Sequence, residues 1–195
     1  MSIIIGLTGP TGAGKSIASE TVREMGIRVI DCDKVARQTV VANSNALKAL
    51  VNVFGVGILN SDGTLNRKAL AQIAFSTKDN TKLLNETLLP YIVDKIKSNI
   101  GDEDILLDAP TLFESGIDDI CTYTVAVLSN GDNRLKRILQ RDGITEDEAN
   151  LRMSAGKDDE YYISKAGHII YNNGDIDTFM AKSSQLFRKL YGGNK

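Results

Sequence analysis

The chain has 195 residues, of which 42% are hydrophobic and 25% charged, and its formal net charge is −2. This length suits one α/β domain with an inserted subdomain, and the charge balance leaves no basic excess to hold a nucleic acid backbone. No apolar stretch approaches the ~20 residues that cross a membrane, and no basic segment precedes the first apolar run, so we expect neither a membrane span nor a signal peptide. Cys32 and Cys121 form neither a disulfide framework nor a metal-ligand spacing, which favours a reducing, cytoplasmic setting.

The first thirty residues predict a β-loop-α-β unit. Residues 3–8 form a short apolar run typical of a buried parallel strand, and residues 15–25 are predicted to be helical. A second short strand is expected at 28–31. This order of elements begins a doubly wound parallel sheet.

A long helical block follows. Apolar residues recur at helical spacing in the segments 34–41, 45–54, 66–76 and 80–88. Pro90 is expected to break the last of these helices and to start another, which runs to about Asn99. A helical block between two strands is a natural place for a subdomain that covers a substrate.

The second half of the chain returns to alternating strands and helices. A capping box, with Thr145 at the cap and Glu148 three residues later, predicts one helix start. The other predicted elements are strands at 105–108, 123–128 and 167–171, a basic helix at 132–141 and an amphipathic helix at 175–190.

Residues 9–16 read Gly-Pro-Thr-Gly-Ala-Gly-Lys-Ser, which fits the phosphate-binding pattern Gly-x-x-x-x-Gly-Lys-Ser between a strand and a helix. Glycines let successive backbone N–H groups point at phosphate oxygens, and the helix N-terminus adds partial positive charge. Lys15 can reach the β- and γ-phosphates, and the Ser16 hydroxyl can ligate Mg²⁺. We therefore expect ATP as phosphoryl donor, Mg²⁺, and a nucleotide-binding set of Gly12, Ala13, Gly14, Lys15, Ser16 and Ile17.

Three acids follow predicted strands, where ligands of open α/β sheets bind. Asp31 and Asp33 end the second strand, and either could orient an acceptor hydroxyl and take its proton. They alternate in direction if the strand persists, and either could instead cap the helix that follows. Asp108 is expected to help hold Mg²⁺ through water, with a turn at Pro110 as the structural alternative.

Six basic residues cluster within 24 positions, and three of them share one helical face at i, i+3 and i+7. Such a cluster predicts a lid over the transferring phosphoryl group, although acids nearby could make it a solvated helix face. The cluster consists of Arg134, Lys136, Arg137, Arg141, Arg152 and Lys157. His168 stands in an apolar strand context, which favours a structural role.

The chain resembles the dephospho-CoA kinase family in six segments that span most of its length: 7–16, 29–37, 62–70, 108–114, 140–142 and 172–174. The most specific are Asp-x-Asp-x-x-Ala-Arg from Asp31 to Arg37 and Asp-Gly-x-Leu-x-Arg from Asp62 to Arg67. The resemblance implies transfer of a phosphoryl group from ATP to the ribose 3′-hydroxyl of dephospho-CoA, the last step of coenzyme A biosynthesis. The chain departs from the family pattern at Cys32, Leu89 and Gly156.

The resemblance also implies roles for individual residues. Asp33 would be the general base, Arg37 and Asp108 would contribute to substrate binding, and Thr8 would lie by the reacting phosphate. Lys15 and Arg141 would be catalytic with Asp33, Arg141 from a lid near the nucleotide phosphates.

The implied fold is α/β, of the P-loop NTPase type, with three layers around a parallel sheet. The nucleotide-binding core would comprise 1–42, 101–130 and 165–195, with a helical acceptor-binding insertion at 43–100 and a helical lid at 131–164. We expect a monomer that acts on a small molecule.

Three alternatives follow from the loop alone. The first is another P-loop kinase, acting on a nucleoside, a nucleotide or a shikimate-like acid, but the Asp-Gly-Phe/Tyr-Pro-Arg and Gly-Gly-Gly segments typical of those enzymes are missing from the expected places. The second is a GTP-dependent switch, whose Asn-Lys-x-Asp and Asp-x-x-Gly strings occur nowhere in the chain. A degenerate nucleotide-binding module is disfavoured because Lys15, Ser16, the acids and the arginines are all present.

Overall fold

Five parallel strands form one sheet in the part of the chain that the computed structural model describes, residues 2–98 and 100–192. In chain order they are β1 (Ile4–Thr8), β2 (Arg28–Asp31), β3 (Ile105–Asp108), β4 (Tyr123–Leu128) and β5 (His168–Tyr171). The spatial order is β2-β3-β1-β4-β5. The central strand β1 therefore lies between β3 and β4, and the predicted α/β class with a parallel sheet is confirmed.

The described helices are α1 (Lys15–Glu24), α2 (Cys32–Thr39), α3 (Asn45–Phe54), α4 (Arg67–Ala74), α5 (Lys78–Lys97), α6 (Leu112–Ser115), α7 (Gly131–Asp142), α8 (Glu146–Ser154), α9 (Asp159–Lys165) and α10 (Ile176–Gly192). Short 3₁₀ turns occupy Val56–Ile58 and Ile117–Ile120. The chain divides into two units: unit 1 comprises 1–30, 102–112 and 120–195, and unit 2 comprises 31–101 and 113–119.

The core of unit 1 lies between the sheet and helices α1 and α10. β1 and β4 supply fully buried aliphatic side chains, and Phe179 and Phe187 of α10 are fully buried against them. Tyr191 closes this core, and its hydroxyl donates to the carbonyl oxygen of Ile105 at 2.9 Å. Burial raises the pKa of Tyr191 far above its usual value, so the phenol is a neutral donor in a water-excluded position.

Unit 2 has a separate core, formed by its own helices. Leu50, Ile58 and Ala74 are fully buried there, with Leu70 and Leu84 packed beside them. A single antiparallel bridge joins Leu59 to Leu65.

The Asp62-Gly63 pair turns the chain at that bridge. Asp62 Oδ1 accepts hydrogen bonds from the Thr64 hydroxyl at 2.6 Å and the Thr64 amide at 3.0 Å, and these bonds lower the pKa of Asp62. Gly63 has φ 79°, in the left-handed region that favours glycine. This part of the family-like segment 62–70 therefore builds a turn.

The prediction of a helix break at Pro90 is wrong. One helix, α5, runs from Lys78 to Lys97 with Pro90 inside it, and Asn99 lies outside the described residues. Proline in a helix interior costs about 3 kcal/mol. However, Pro90 is exposed, while Ile92 and Ile96 beyond it continue the buried stripe of Leu84. Burial of such side chains is worth about 1.5–3 kcal/mol each, enough to offset that cost.

Other differences are small. β2 ends at Asp31 and α2 begins at Cys32, two residues before the predicted helix start, so the strand does not persist through Asp33. The short helices α6 and α9 and the two 3₁₀ turns were not predicted, because segments of this length show no clear apolar period.

Candidate active site

The carboxyl ends of β1 and β3 bring the phosphate-binding loop and Asp108 to one edge of the sheet. In the parallel pairing, Leu7 of β1 lies opposite Asp108 of β3. On the other side of β1, Thr8 lies opposite Ala126 of β4. The loop at 9–16 therefore begins directly beside the acid that ends the neighbouring strand, as the sequence predicted.

Two glycines of the loop stand where no side chain fits. Gly9 has φ 146°, and a Cβ atom there would lie 2.3 Å from the Val127 carbonyl oxygen. Gly14 has φ 104°, and its Cβ would lie 2.1 Å from Asn172 Nδ2. Gly14 also occupies the N-cap of α1 without a capping side chain. The first amides of α1 are thus left for an anion to satisfy.

The loop encloses a cavity of ≈ 320 Å³ within unit 1. Its lining consists of loop residues 9–12 and 14–16 together with Pro110, Arg137 and Arg141. Backbone amides, one lysine and two arginines therefore converge on one concave space. Positive groups and amide donors in this arrangement suit the phosphate groups of a nucleotide.

Lys15 and Asp108 form an ion pair at the floor of this site, through Nζ and Oδ1. The second carboxylate oxygen of Asp108 accepts a hydrogen bond from the Ser19 hydroxyl at 2.6 Å. Ser19 is buried one helical turn after Lys15 on the same face of α1. Both oxygens of Asp108 therefore accept hydrogen bonds from side-chain donors on α1.

Two other predicted site residues have structural contacts. Thr8 is fully buried, and its hydroxyl donates to the Pro110 carbonyl oxygen at 3.1 Å, which links the end of β1 to the segment after β3. The Ile17 side chain packs against the core of unit 1, and its amide donates to Gly14 O at 3.0 Å. Their predicted roles toward substrate and nucleotide stay predictions.

Two arginines of the basic face of α7 donate to the loop backbone. Arg134 is buried, and its Nε donates to Thr11 O at 2.9 Å. Arg137 Nη1 donates to Gly12 O at 3.2 Å and Ala13 O at 3.4 Å. Burial lowers the pKa of Arg137. Neither side chain lies on a simple solvated helix face, which was the alternative for this cluster.

Arg141 forms a different contact, at the rim of the cavity. Its Nε and Nη2 donate to the two oxygens of Asp142 at 2.7 and 2.9 Å, and Arg152 of α8 donates to Asp142 Oδ2 at 2.7 Å. The hydrogen bonds with Asp142 raise the pKa of Arg141, and those from Arg141 are the main cause that lowers the pKa of Asp142. This exposed cluster joins α7 to α8 beside the loop.

Asp31 and Asp33 differ in their placement at the start of unit 2. Asp31 is the N-cap of α2, and its side chain accepts from the Lys34 amide at 2.9 Å. Asp33 is exposed in the first turn of α2, one turn before Arg37 and on the same face. The capping alternative therefore holds for Asp31, and its backbone-bound carboxylate is the poorer candidate for a general base.

Unit 2 contains a second cavity, of ≈ 190 Å³, with Arg37 and Arg67 at its lining. Arg67 Nη2 donates to the Arg37 carbonyl oxygen at 3.3 Å. The remaining lining is aliphatic and aromatic: Ala36, Val40, Leu50, Leu65, Leu70, Ala71, Phe75, Leu84 and Leu88. An apolar hollow with two guanidinium groups suits a ligand that carries both an apolar portion and an anionic group.

Sequence reasoning assigned no role to several polar residues around the loop, although Asn172 belongs to the family-like segment 172–174. Asn172 is buried, and its Nδ2 donates to Ala13 O at 2.8 Å. Ser129 is buried after β4, and its hydroxyl donates to the Asn172 carbonyl oxygen at 2.7 Å. The spacing of Lys15 and Ser19 could have revealed Ser19, whereas no local spacing links Asn172 or Ser129 to the loop.

The oxygen ligands near the loop fit Mg²⁺. The exposed Ser16 side chain begins α1, and Asp108 offers a carboxylate whose two oxygens already accept from Lys15 and Ser19, so a contact through water suits it better than direct ligation. Across residues 2–98 and 100–192, no three or more His, Cys, Asp and Glu side chains cluster to hold a metal ion. Mg²⁺ is usually held by few protein oxygens together with substrate phosphates, so this donor set is sufficient. No described helix is both long and apolar enough to cross a membrane.

A parallel sheet of order 2-3-1-4-5, with a phosphate-binding loop after its central strand and an acid after the neighbouring strand, defines a P-loop kinase. A family model described as dephospho-CoA kinase matches residues 3–178. The chain therefore belongs to the dephospho-CoA kinase family.

Individual relatives agree with this assignment. A dephospho-CoA kinase of Lactobacillus johnsonii is 32% identical over 196 residues, which cover 97% of this chain and 99% of the relative. Among solved structures, the dephospho-CoA kinase from Campylobacter jejuni has a TM-score of 0.69 with 25% identity and full coverage of both chains. The protein TT1252 from Thermus thermophilus has a TM-score of 0.74 with 26% identity, covering 97% of this chain and 98% of that one.

Proposed function

We propose that this chain transfers the γ-phosphoryl group of ATP to the ribose 3′-hydroxyl of dephospho-CoA, which gives CoA and ADP in the last step of coenzyme A biosynthesis. The observation that carries the proposal is the family match over residues 3–178, together with the phosphate-binding loop at 9–16. Because family members act on this acceptor, the rival nucleoside, nucleotide and shikimate acceptors are disfavoured.

The donor side of the reaction uses the loop cavity. We assign the triphosphate to the residues from Gly12 to Ile17, where the start of α1 and the amides without a backbone acceptor favour anions. Lys15 exchanges its contact with Asp108 for the β- and γ-phosphates. Arg141 stabilises the negative charge that develops on the transferring group.

The acceptor side uses Asp33 and Arg37. Asp33 accepts the proton of the 3′-hydroxyl as the hydroxyl oxygen bonds to the γ-phosphorus and the bond from that phosphorus to the β,γ-bridging oxygen breaks. Arg37 binds an anionic group of the acceptor, and the apolar cavity beside it and Arg67 takes an uncharged portion of the same molecule.

Mg²⁺ would be held by the Ser16 hydroxyl and, through water, by Asp108. When bound, it neutralises phosphate charge and helps align the leaving group. Thr8, at the end of β1, would lie next to the reacting phosphate, and its hydroxyl is already fixed by Pro110.

We assign functions to the segments as follows: the core at 1–42, 101–130 and 165–195 binds nucleotide, the helical segment 43–100 binds the acceptor, and 131–164 acts as a lid. We further propose a cytoplasmic monomer, because neither the donor side nor the acceptor side of this reaction requires a second subunit or a membrane.

The decisive test is an ADP-release assay with dephospho-CoA, nucleosides, nucleotides and shikimate as acceptors. We expect the highest kcat/KM with dephospho-CoA and a product phosphorylated at the ribose 3′-position. A preference for any other acceptor would refute the proposal.

The aspartates at the start of α2 provide a matched pair for the general base. Asp33→Asn should lower kcat by about 10²-fold or more while ATP binding stays intact, as expected for loss of general base catalysis. Asp31→Asn should be nearly silent, because asparagine is as good an N-cap as aspartate. The opposite ranking would transfer the base role to Asp31.

A further inference from the structure

The outer side of the phosphate-binding loop is held by side-chain donors. When the N–H groups of such a loop converge on a ligand, the carbonyl groups of the same peptides point away and need donors of their own. Here the carbonyl oxygens of Thr11, Gly12 and Ala13 accept from α7 arginines and from Asn172. Three successive carbonyl groups of the loop are therefore fixed by side-chain donors, while the Ala13 amide donates to the Pro10 carbonyl oxygen at 3.2 Å.

Asn172 is held on three sides. The residue is only 2% exposed, and its side-chain Nδ2 donates to Ala13 O at 2.8 Å. The same side chain packs against Gly14 so closely that Gly14 could not carry a Cβ atom. The backbone carbonyl of Asn172 accepts from Ser129 Oγ at 2.7 Å and Arg137 Nη2 at 2.9 Å. Its amide donates to the Leu128 carbonyl, so its position is fixed by the sheet.

Arg137 is bonded to protein acceptors rather than pointing unpaired into the cavity that it lines. Nη1 donates to Gly12 O, to Ala13 O and, at 3.0 Å, to Ser129 Oγ, and Nη2 donates to Asn172 O. Both terminal nitrogens of this guanidinium group therefore donate to backbone carbonyl oxygens, and Nη1 also donates to a neighbouring hydroxyl. Its geometry differs from that of Arg141, which pairs with a carboxylate at the rim.

We propose that Arg137 and Asn172 are positioning residues: both donate to the Ala13 carbonyl oxygen, and they thereby keep the amide of the same peptide, that of Gly14, directed at the nucleotide phosphates. A glycine-rich loop has many accessible backbone conformations, and only a few of them direct its amides at one ligand. The two side chains restrict the loop to those conformations before the nucleotide binds. Their loss therefore weakens nucleotide binding more than it slows the chemical step.

The inference rests on the proposed function only for the use of ATP, and the test does not require the acceptor. ADP is titrated into the full-length protein by calorimetry, and kcat and both KM values are then measured with ATP and dephospho-CoA. The variants are Arg137→Gln and Asn172→Ala, with Arg137→Lys as the conservative change. Lys182→Gln, an exposed lysine on α10, is the control for loss of one positive charge.

We expect Arg137→Gln and Asn172→Ala each to raise the Kd of ADP about tenfold or more, the range for loss of a buried hydrogen bond that involves a charged or desolvated partner. At saturating ATP, kcat should change less than about threefold. The KM for dephospho-CoA should stay constant, Arg137→Lys should be intermediate and Lys182→Gln silent. Melting temperatures identify any variant that fails to fold, in which case Arg137→Lys carries the test.

Unchanged ADP affinity in the folded variants would overturn the proposal. So would a large fall in kcat with unchanged ADP affinity, because that result would make Arg137 a direct contact of the transferring phosphoryl group. A protein that binds ADP as expected but ignores dephospho-CoA would leave this inference standing and refute only the proposed acceptor.

Discussion

In unit 1, the polar side chains around the phosphate-binding loop are buried and bonded to one another, whereas the charged side chains proposed for the acceptor in unit 2 are exposed. Ser19 and Asn172 are at most 2% exposed and donate to Asp108 and to the loop. Asp33, Arg37 and Arg67 all stand on exposed positions of α2 and α4. The contrast separates a site whose polar side chains are buried and hydrogen-bonded from one whose charged side chains are exposed.

The two ligands proposed above would account for this difference. A triphosphate presents the same set of oxygens in every nucleotide, so fixed amides and cations recognise it without rearrangement. A larger acceptor carries apolar and anionic parts, which suit an apolar cavity of ≈ 190 Å³ with arginines at its lining. Variants in unit 1 should therefore change the kinetic and binding constants for the nucleotide. Variants in unit 2 should change those for the acceptor.

The largest expected effect is that of Lys15→Met, which removes one cation of the donor site and leaves Asp108 without its ion-pair partner. We expect kcat/KM for ATP to fall by about 10³-fold, as for loss of a preorganised donor to a developing charge. Calorimetry should show unchanged binding of dephospho-CoA, and Lys182→Met should have no effect. Weakened acceptor binding in Lys15→Met would contradict the separation of the two regions.

The next effect tests unit 2. Arg37→Gln keeps a long polar side chain but loses the positive charge beside the apolar cavity, so the KM for dephospho-CoA should rise about tenfold or more. The Kd of ADP should not change. Lys48→Gln, an exposed lysine on α3, is the matched control within the same unit. A changed ADP affinity with an unchanged KM for dephospho-CoA would place Arg37 on the donor side.

The sequence predicted the strands well because each is a short apolar run, and the observed bounds differ by a residue at most. It predicted the loop because its chemistry is local: glycines, lysine and serine at fixed spacing. Pro90 was misread because the buried stripe that continues through α5 depends on packing within unit 2. The contacts of Asn172 with Ala13 span 159 positions, so no local pattern could have revealed them.

A smaller effect compares two buried serines of unit 1. Ser19→Ala removes the hydroxyl that holds one oxygen of Asp108, and we expect a loss of about 1–2 kcal/mol in the free energy of unfolding with a several-fold lower kcat. Ser183 is fully buried on α10, and its hydroxyl has no hydrogen-bond partner among the described residues. Ser183→Ala should therefore be neutral or slightly stabilising. Equal effects of the two changes would show that the Ser19 contact is energetically unimportant.

The smallest effect lies at the exposed rim of unit 1, where Asp142 pairs with Arg141 and Arg152. Hydrogen bonds from Arg141 are the main cause that lowers the pKa of Asp142, with further contributions from the charges of both arginines. A carboxylate whose pKa is lower in the folded state stabilises that state above its unfolded pKa, and the contribution disappears as the pH falls through the folded value. The melting temperature of the wild type should exceed that of Asp142→Asn by a constant small amount from pH 7 to 5.

That difference should shrink only below about pH 4, where carboxylates in unfolded chains begin to take up protons. Asp102→Asn, at an exposed position before β3, is the control for loss of one negative charge. If the Asp142 difference persisted unchanged to pH 2, it could not arise from the ionised pair. If instead the stability difference caused by Asp142→Asn at pH 7 were as large as that caused by Ser19→Ala, the exposed rim of the donor site would stabilise the fold as much as its buried interior does. The contrast between buried and exposed polar groups would then no longer coincide with the two units.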